Sequence, residues 1–314
     1  MTAATWQPQP IESYQEHVIT ANDGVKLHCR EYGNPAAELT VVLMHGLCLD
    51  LGSWQPQIDE LLTQWGPDIR IIGFDYRGHG RSDAAPVRTY TIEQIAADLA
   101  GVIRALNVTG KVVLAGHSMG GMAALAFLGL PNHLRPVDPV GLVLAASSAG
   151  GLAERGLGRL LATPALRLLA DVVATLPDHA AQSAIGAVLG PTCRALARAA
   201  RFTSAEVTSL TATAATAFTH TRPAAAIGFL PSLRRYNQLA LLGTITATTV
   251  IVSGGKDVLT PQHHSEVLAA AIPNAIHLNR PEAGHMVLAQ ANKTVAEAIN
   301  TALGSTRARA AKDA

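Results

Sequence analysis

The stretch VVLAGHSMGGMAALAF, residues 112–127, constrains this chain more than any other. A β-branched run passes into an Ala/Leu-rich run through Gly116-His117-Ser118-Met119-Gly120, with no space for a loop. A buried strand must therefore turn sharply into a helix. Glycines two before and two after the serine let strand and helix pass closely, and the serine between them takes up strained backbone angles. The turn also sets Ser118 at a helix N-terminus, where free N–H groups and the helix dipole favour developing negative charge. Two readings follow: a packing turn that happens to carry a serine, or a serine held up as a nucleophile.

The flanking sequence alternates in the same way. EHVITANDGVKLHCREYG reads as a hairpin turning at Asn22-Asp23-Gly24. LTVVLMHG, IRIIGFD, KVVLAG and PVGLVLAAS read as buried parallel strands. SWQPQIDELLTQW, TIEQIAADLAGVIRALN (capped by Thr91) and MGGMAALAFLGL read as helices between them. From about Gly150 to Tyr236 the rhythm changes to Ala, Leu and Arg with helical spacing, broken by Pro164, Pro177, Pro191 and Pro223. Alternation then resumes with TTVIVSGG, TPQHHSEVLAAAI, AIHLNR and MVLAQANKTVAEAINTAL, the last read as one helix. The expectation is an α/β fold with a mostly parallel, doubly wound sheet. Residues 1–149 and 237–314 would form the core, and 150–236 a helical cap over the carboxyl ends of the strands.

In such sheets, sites form where strands end. Ser118 follows one strand, Asp257 follows TTVIVSGG, and His285 lies in the loop after the last strand. A serine hydroxyl needs a base, and the base needs an orienting acid. Ser118, Asp257 and His285 are the candidates for those three roles. Glu282 is the alternative acid. His117 is placed on the far side of the turn, and His79, His220, His263 and His264 are read as solvated or packing residues. A tetrahedral intermediate needs two N–H donors. Met119, directly after the serine, and Leu47, in the loop after LTVVLMHG, are the candidates. His45 reads as a hydrogen-bonding residue of that loop, and Cys48 as a possible lining of the pocket or an inert thiol.

These residues resemble the α/β-hydrolase family. The resemblance is carried by HGL at 45–47, DYRGHGRSD at 75–83, GHSMGG at 116–121, GGKDVLTP at 254–261 and AGH at 283–285, and it spans nearly the whole chain. It implies the α/β-hydrolase fold with a cap, Arg77 as a brace between loops, and a serine enzyme of the carboxylesterase or lipase kind acting on an ester or thioester. Haloalkane dehalogenases and epoxide hydrolases carry aspartate where this chain has Ser118. HGLCLDLGSW lacks the Glu-His-Ser pattern of the monoacylglycerol lipases. Perhydrolysis, C–C bond hydrolysis and a ligand-binding receptor of the same fold remain open alternatives. An apolar acyl pocket would follow if the Ala/Leu faces of the cap, with Phe202, Phe218 and Phe229, turn toward Ser118; those faces could equally pack the cap on itself.

Bulk properties limit the partners. With 24 basic and 23 acidic residues, net charge +1, no strong field draws nucleic acid or an anionic membrane. The expected partner is a small acyl molecule, with no stable membrane insertion and an undetermined oligomeric state. Cys29, Cys48 and Cys193 form no metal or disulfide pattern, and no His-Glu-x-x-His run occurs. No metal or cofactor is therefore expected. With no secretory pattern at the N-terminus, the expected location is cytoplasmic.

Overall fold

The computed structural model describes residues 14–152, 175–176 and 221–304. Among these residues one sheet runs in the order β1-β2-β4-β3-β5-β6-β7-β8. Its strands are β1 (Tyr14–Thr20), β2 (Lys26–Gly33), β3 (Leu39–Met44), β4 (Ile69–Phe74), β5 (Lys111–His117), β6 (Gly141–Ala145), β7 (Thr248–Gly254) and β8 (Ile276–Arg280). The first two strands form the expected hairpin, and β2 lies antiparallel to β4. All later pairings are parallel.

The central strands are mostly apolar because both faces are covered. Val42, Ile72, Leu114, Leu144 and Ile251 pack on one face, against α2 (Ile92–Ala105) and α3 (Met119–Leu128). Their neighbours Val41, Ile71, Val113, Val143 and Val250 pack on the other, against α1 (Gln55–Trp65) and the C-terminal helix. Strand pleating sends successive residues to opposite sides, so one run of β-branched residues fills two cores. Thr91 caps α2, accepting from the Gln94 N–H at 3.1 Å.

Of the expected cap, residues 153–174 and 177–220 lie outside the described residues, with Cys193, Phe202, Phe218 and His220 among them. Residues 221–235, the described end of that segment, form two short helices, α4 (Pro223–Gly228) and α5 (Leu230–Arg235). They dock on the turn after β4: Thr221 bridges to His79, and Phe229 packs between His79 and Tyr90. Then come α6 (Gln262–Ala271), α7 (Val287–Gln290) and α8 (Asn292–Ala302). The sequence predicts one final helix where the chain forms two. Ala291 leaves the helical region, at φ −137° and ψ 39°. The buried Gln57 amide donates to the Leu288 carbonyl at 2.8 Å and the Asn292 carbonyl at 3.3 Å, bonding the backbone on both sides of the break.

Arg77, fully buried, ties three elements together. It forms a fork on Asp98 of α2, with two bonds of 2.8 Å, and reaches Asp23 in the β1–β2 turn at 2.7 Å. Burial works against its charge, but the two carboxylates outweigh burial and raise its pKa. Among the described residues no helix is long and apolar enough to cross a membrane.

Candidate active site

The turn between β5 and α3 is as sharp as its sequence demands. Ser118 sits at φ 52° and ψ −117°, a conformation that side chains rarely adopt. Its N–H donates to the Ala145 carbonyl at 2.8 Å, and its carbonyl accepts from the Ser147 hydroxyl at 2.8 Å. The flanking glycines allow the packing. A Cβ on Gly116 would lie 2.3 Å from the Gly121 nitrogen, and one on Gly120 would lie 2.2 Å from the Met44 carbonyl oxygen. The second contact presses the start of α3 against the end of β3, and so sets the loop that carries Leu47 beside the turn.

Three strand ends then converge. His285 Nε2 lies 2.9 Å from Ser118 Oγ, and His285 Nδ1 lies 2.9 Å from Asp257 Oδ2. The carboxylate can only accept, so Nδ1 carries the proton and Nε2 is free to receive one from the serine hydroxyl. Asp257 is buried. Its Oδ1 accepts from the Leu259 N–H at 2.8 Å and the Thr260 N–H at 2.9 Å, while Thr260 Oγ1 lies 2.8 Å from Oδ2. Burial alone would raise the Asp257 pKa. The His285 charge, its hydrogen bond and the Thr260 donors outweigh burial and hold the carboxyl below its usual value.

The remaining histidines sort by geometry. His117 lies closer to His285 than the sequence suggests: their ring centroids are 5.0 Å apart. It donates from Nε2 to the His285 backbone carbonyl at 2.8 Å, and so braces the loop that carries the imidazole. Burial, then the nearby His285 charge, pushes its pKa down to about 3. Of the two readings for His79, packing holds: it is fully buried, and its Nε2 accepts from the Cys48 N–H at 3.2 Å. His264 is buried against Ser148, and His263 is exposed. Glu282 pairs with Lys256 at the surface and takes no part in the convergence.

The two candidate oxyanion donors are both open. Met119 is the first residue of α3, so its N–H has no acceptor within the helix. The Leu47 N–H has no acceptor among the described residues. Cys48, the next residue, is half-buried at φ 65°, and burial pushes its thiol up to about 12, so it stays protonated. Two contributors were illegible in the sequence. Ser147 acts through a contact between separate strand ends, Thr260 through its neighbour Asp257 and the distant Ala146, and a hydroxyl residue in a loop carries no pattern that singles such contacts out. Among the described residues no cluster of His, Cys, Asp or Glu could hold a metal ion.

A serine at a strand–helix elbow, facing an imidazole and a carboxylate at the ends of later parallel strands, defines the α/β-hydrolase class. A family model described as alpha/beta hydrolase fold matches residues 40–291, and the chain belongs to this family. It is 30% identical over 198 residues to the 3-oxoadipate enol-lactonase 1 of Acinetobacter baylyi, covering 58% of this chain and 71% of that one. It is 37% identical over 103 residues to a non-heme chloroperoxidase of Streptomyces lividans, covering 33% of this chain and 35% of the other. It is also similar to the solved structure of a thermophilic esterase from Thermogutta terrifontis. That match has a TM-score of 0.66 and 26% identity, over 92% of this chain and 98% of the esterase.

Proposed function

We propose that the protein is a serine hydrolase that cleaves a carboxylic ester, open-chain or cyclic, or a thioester, through an acyl-enzyme on Ser118. The observation that carries this reading is the 2.9 Å approach of His285 Nε2 to Ser118 Oγ, with Asp257 held at 2.9 Å behind the imidazole. Ser118 Oγ attacks the acyl carbonyl while His285 takes its proton. The carbonyl electrons move onto oxygen, which the N–H groups of Leu47 and Met119 receive. As the tetrahedral adduct collapses, the bond to the leaving oxygen or sulfur breaks and His285 returns the proton to it. In a lactone the leaving alcohol stays tethered to the acyl part. Water, deprotonated by His285, then releases the acid and restores Ser118. An esterase and an enol-lactonase among the similar proteins favour an oxygen ester as the substrate. Free Cys29 and Cys48 fit a reducing compartment, and we include a cytoplasmic location in this reading.

The test is turnover of p-nitrophenyl esters, small lactones and acyl thioesters by wild type and Ser118→Ala. Wild type should release acid from at least one of these classes, and the alanine variant should fall by at least about a thousandfold. Equal activity of the two proteins, or no turnover of any class, would sink the proposal. The similarity to a chloroperoxidase supports a second reading. In it hydrogen peroxide replaces water as the acceptor of the acyl group and a peracid leaves. Peroxide-dependent oxidation that exceeds hydrolysis would favour it.

A further inference from the structure

We infer that His45 is a positioning residue for the oxyanion donor: it grips the carbonyl of the Gly46–Leu47 peptide and thereby aims the Leu47 N–H. The inference rests on the proposed role of Leu47. The carbonyl of Gly46 and the N–H of Leu47 belong to one planar trans unit and point in opposite directions. Whatever fixes the first therefore fixes the second. His45 Nδ1 lies 2.8 Å from the Gly46 oxygen.

The tautomer follows from the neighbours. The Tyr76 N–H lies 3.1 Å from His45 Nε2 and can only donate. Nε2 must then hold a lone pair, and the proton sits on Nδ1, where Gly46 can only accept. The ring cannot swing away. It is fully buried, and its centroid lies 3.9 Å from that of Tyr76. Burial lowers its pKa and keeps it neutral, which preserves the lone pair that Tyr76 needs.

The far side of Leu47 is held in the same way. Cys48 takes a left-handed backbone at φ 65°, and its N–H is received by His79 Nε2 at 3.2 Å. His79 donates in turn from Nδ1 to the Arg77 carbonyl at 3.1 Å. Two neutral imidazoles thus secure the peptides on either side of Leu47, and both draw on the turn after β4. Hydrogen bonds in series also polarise one another. Tyr76 N–H to Nε2, then Nδ1–H to the Gly46 oxygen, makes the Leu47 N–H a stronger donor when negative charge forms on the substrate.

The experiment compares His45→Leu, which keeps much of the bulk but no donor, with His45→Asn, whose amide nitrogen can occupy the place of Nδ1. The leucine variant should lose roughly ten- to a hundredfold in kcat, since removing an oxyanion donor outright costs about a hundred- to a thousandfold. Its KM should stay nearly unchanged, because the contact matters in the transition state and not in the ground state. The asparagine variant should recover most of the loss. Full kcat in His45→Leu, or no recovery in His45→Asn, overturns the inference.

A measurement on the wild-type protein covers the case in which the variants do not fold. In 15N-labelled protein His45 should show the neutral Nδ1–H tautomer, and the Leu47 amide proton should move downfield when a boronic acid adds to Ser118. An Nε2–H tautomer, or a boronate adduct with no Leu47 shift, overturns the role of His45 and leaves the nucleophile standing. Absence of any ester, lactone or thioester turnover removes the proposed function, and this inference with it.

Discussion

Asp257 is held by more than its histidine partner. Two backbone N–H groups fix Oδ1, and the Thr260 hydroxyl stands between Oδ2 and the Ala146 carbonyl at 2.8 Å from each. Thr260→Val removes the hydroxyl and leaves both backbone donors. Its kcat/KM on the best ester should fall about three- to tenfold, the worth of one hydrogen bond. Asp257→Asn should cost far more, on the order of ten-thousandfold, because an amide there stabilises the wrong imidazole tautomer. Steady-state kinetics on the two variants checks the ranking, and a Thr260→Val loss as large as that of Asp257→Asn would contradict it. Ser118, Asp257 and His285 could be proposed from the sequence because Ser118 directly follows a readable strand and the other two lie in the loops just after such strands. Thr260 could not, because nothing in the sequence sets its hydroxyl apart from those of other loop residues, although it sits only three residues beyond Asp257.

The elbow is the element where glycine matters most, and α2 offers the contrast. A Cβ on Gly120 would meet the Met44 carbonyl at 2.2 Å, whereas a Cβ on Gly101, inside α2, would meet nothing within 4 Å. Gly120→Ala should therefore destabilise the fold by about 3 kcal/mol. Gly101→Ala should stabilise it by about 0.5–1 kcal/mol through helix propensity alone. Urea unfolding of both variants reads the difference, and similar shifts would contradict it. The strands were legible because unbroken β-branched runs have one use in an α/β protein. The break at Ala291 was not, since Gln57, far away in sequence, bonds the carbonyls on both sides of it. Which of its two readings His79 takes, solvated or packed, was equally hidden: it lies between glycines in a turn, and its burial comes from Phe229 and Thr221, far away in sequence.

Across the whole molecule, buried imidazoles make stability depend on acid. Burial first, and neighbouring histidines second, push His79 and His117 down to about 3. Both stay neutral in the folded chain, while in the unfolded chain they gain a proton below the ordinary value of 6.5. The unfolded state then binds more protons, so stability rises with pH between about 3 and 6.5 and is fully present above that window. Each such group contributes a slope of about 1.4 kcal/mol per pH unit inside it. Urea melts at pH 7, 6 and 5 should show a steady decline, and His79→Gln should flatten it. Equal stability at pH 7 and pH 5 would rule the account out.

The bend at residue 118 is imposed by what surrounds it. Close backbone contacts at Gly116 and Gly120, the Ala145 carbonyl and the Ser147 hydroxyl hold the chain there through its backbone, without using the Ser118 side chain. The position is in effect a socket, shaped by contacts to its main chain alone. A chain built this way spends none of the Ser118 hydroxyl on holding its own shape, and leaves it free for the chemistry proposed for it.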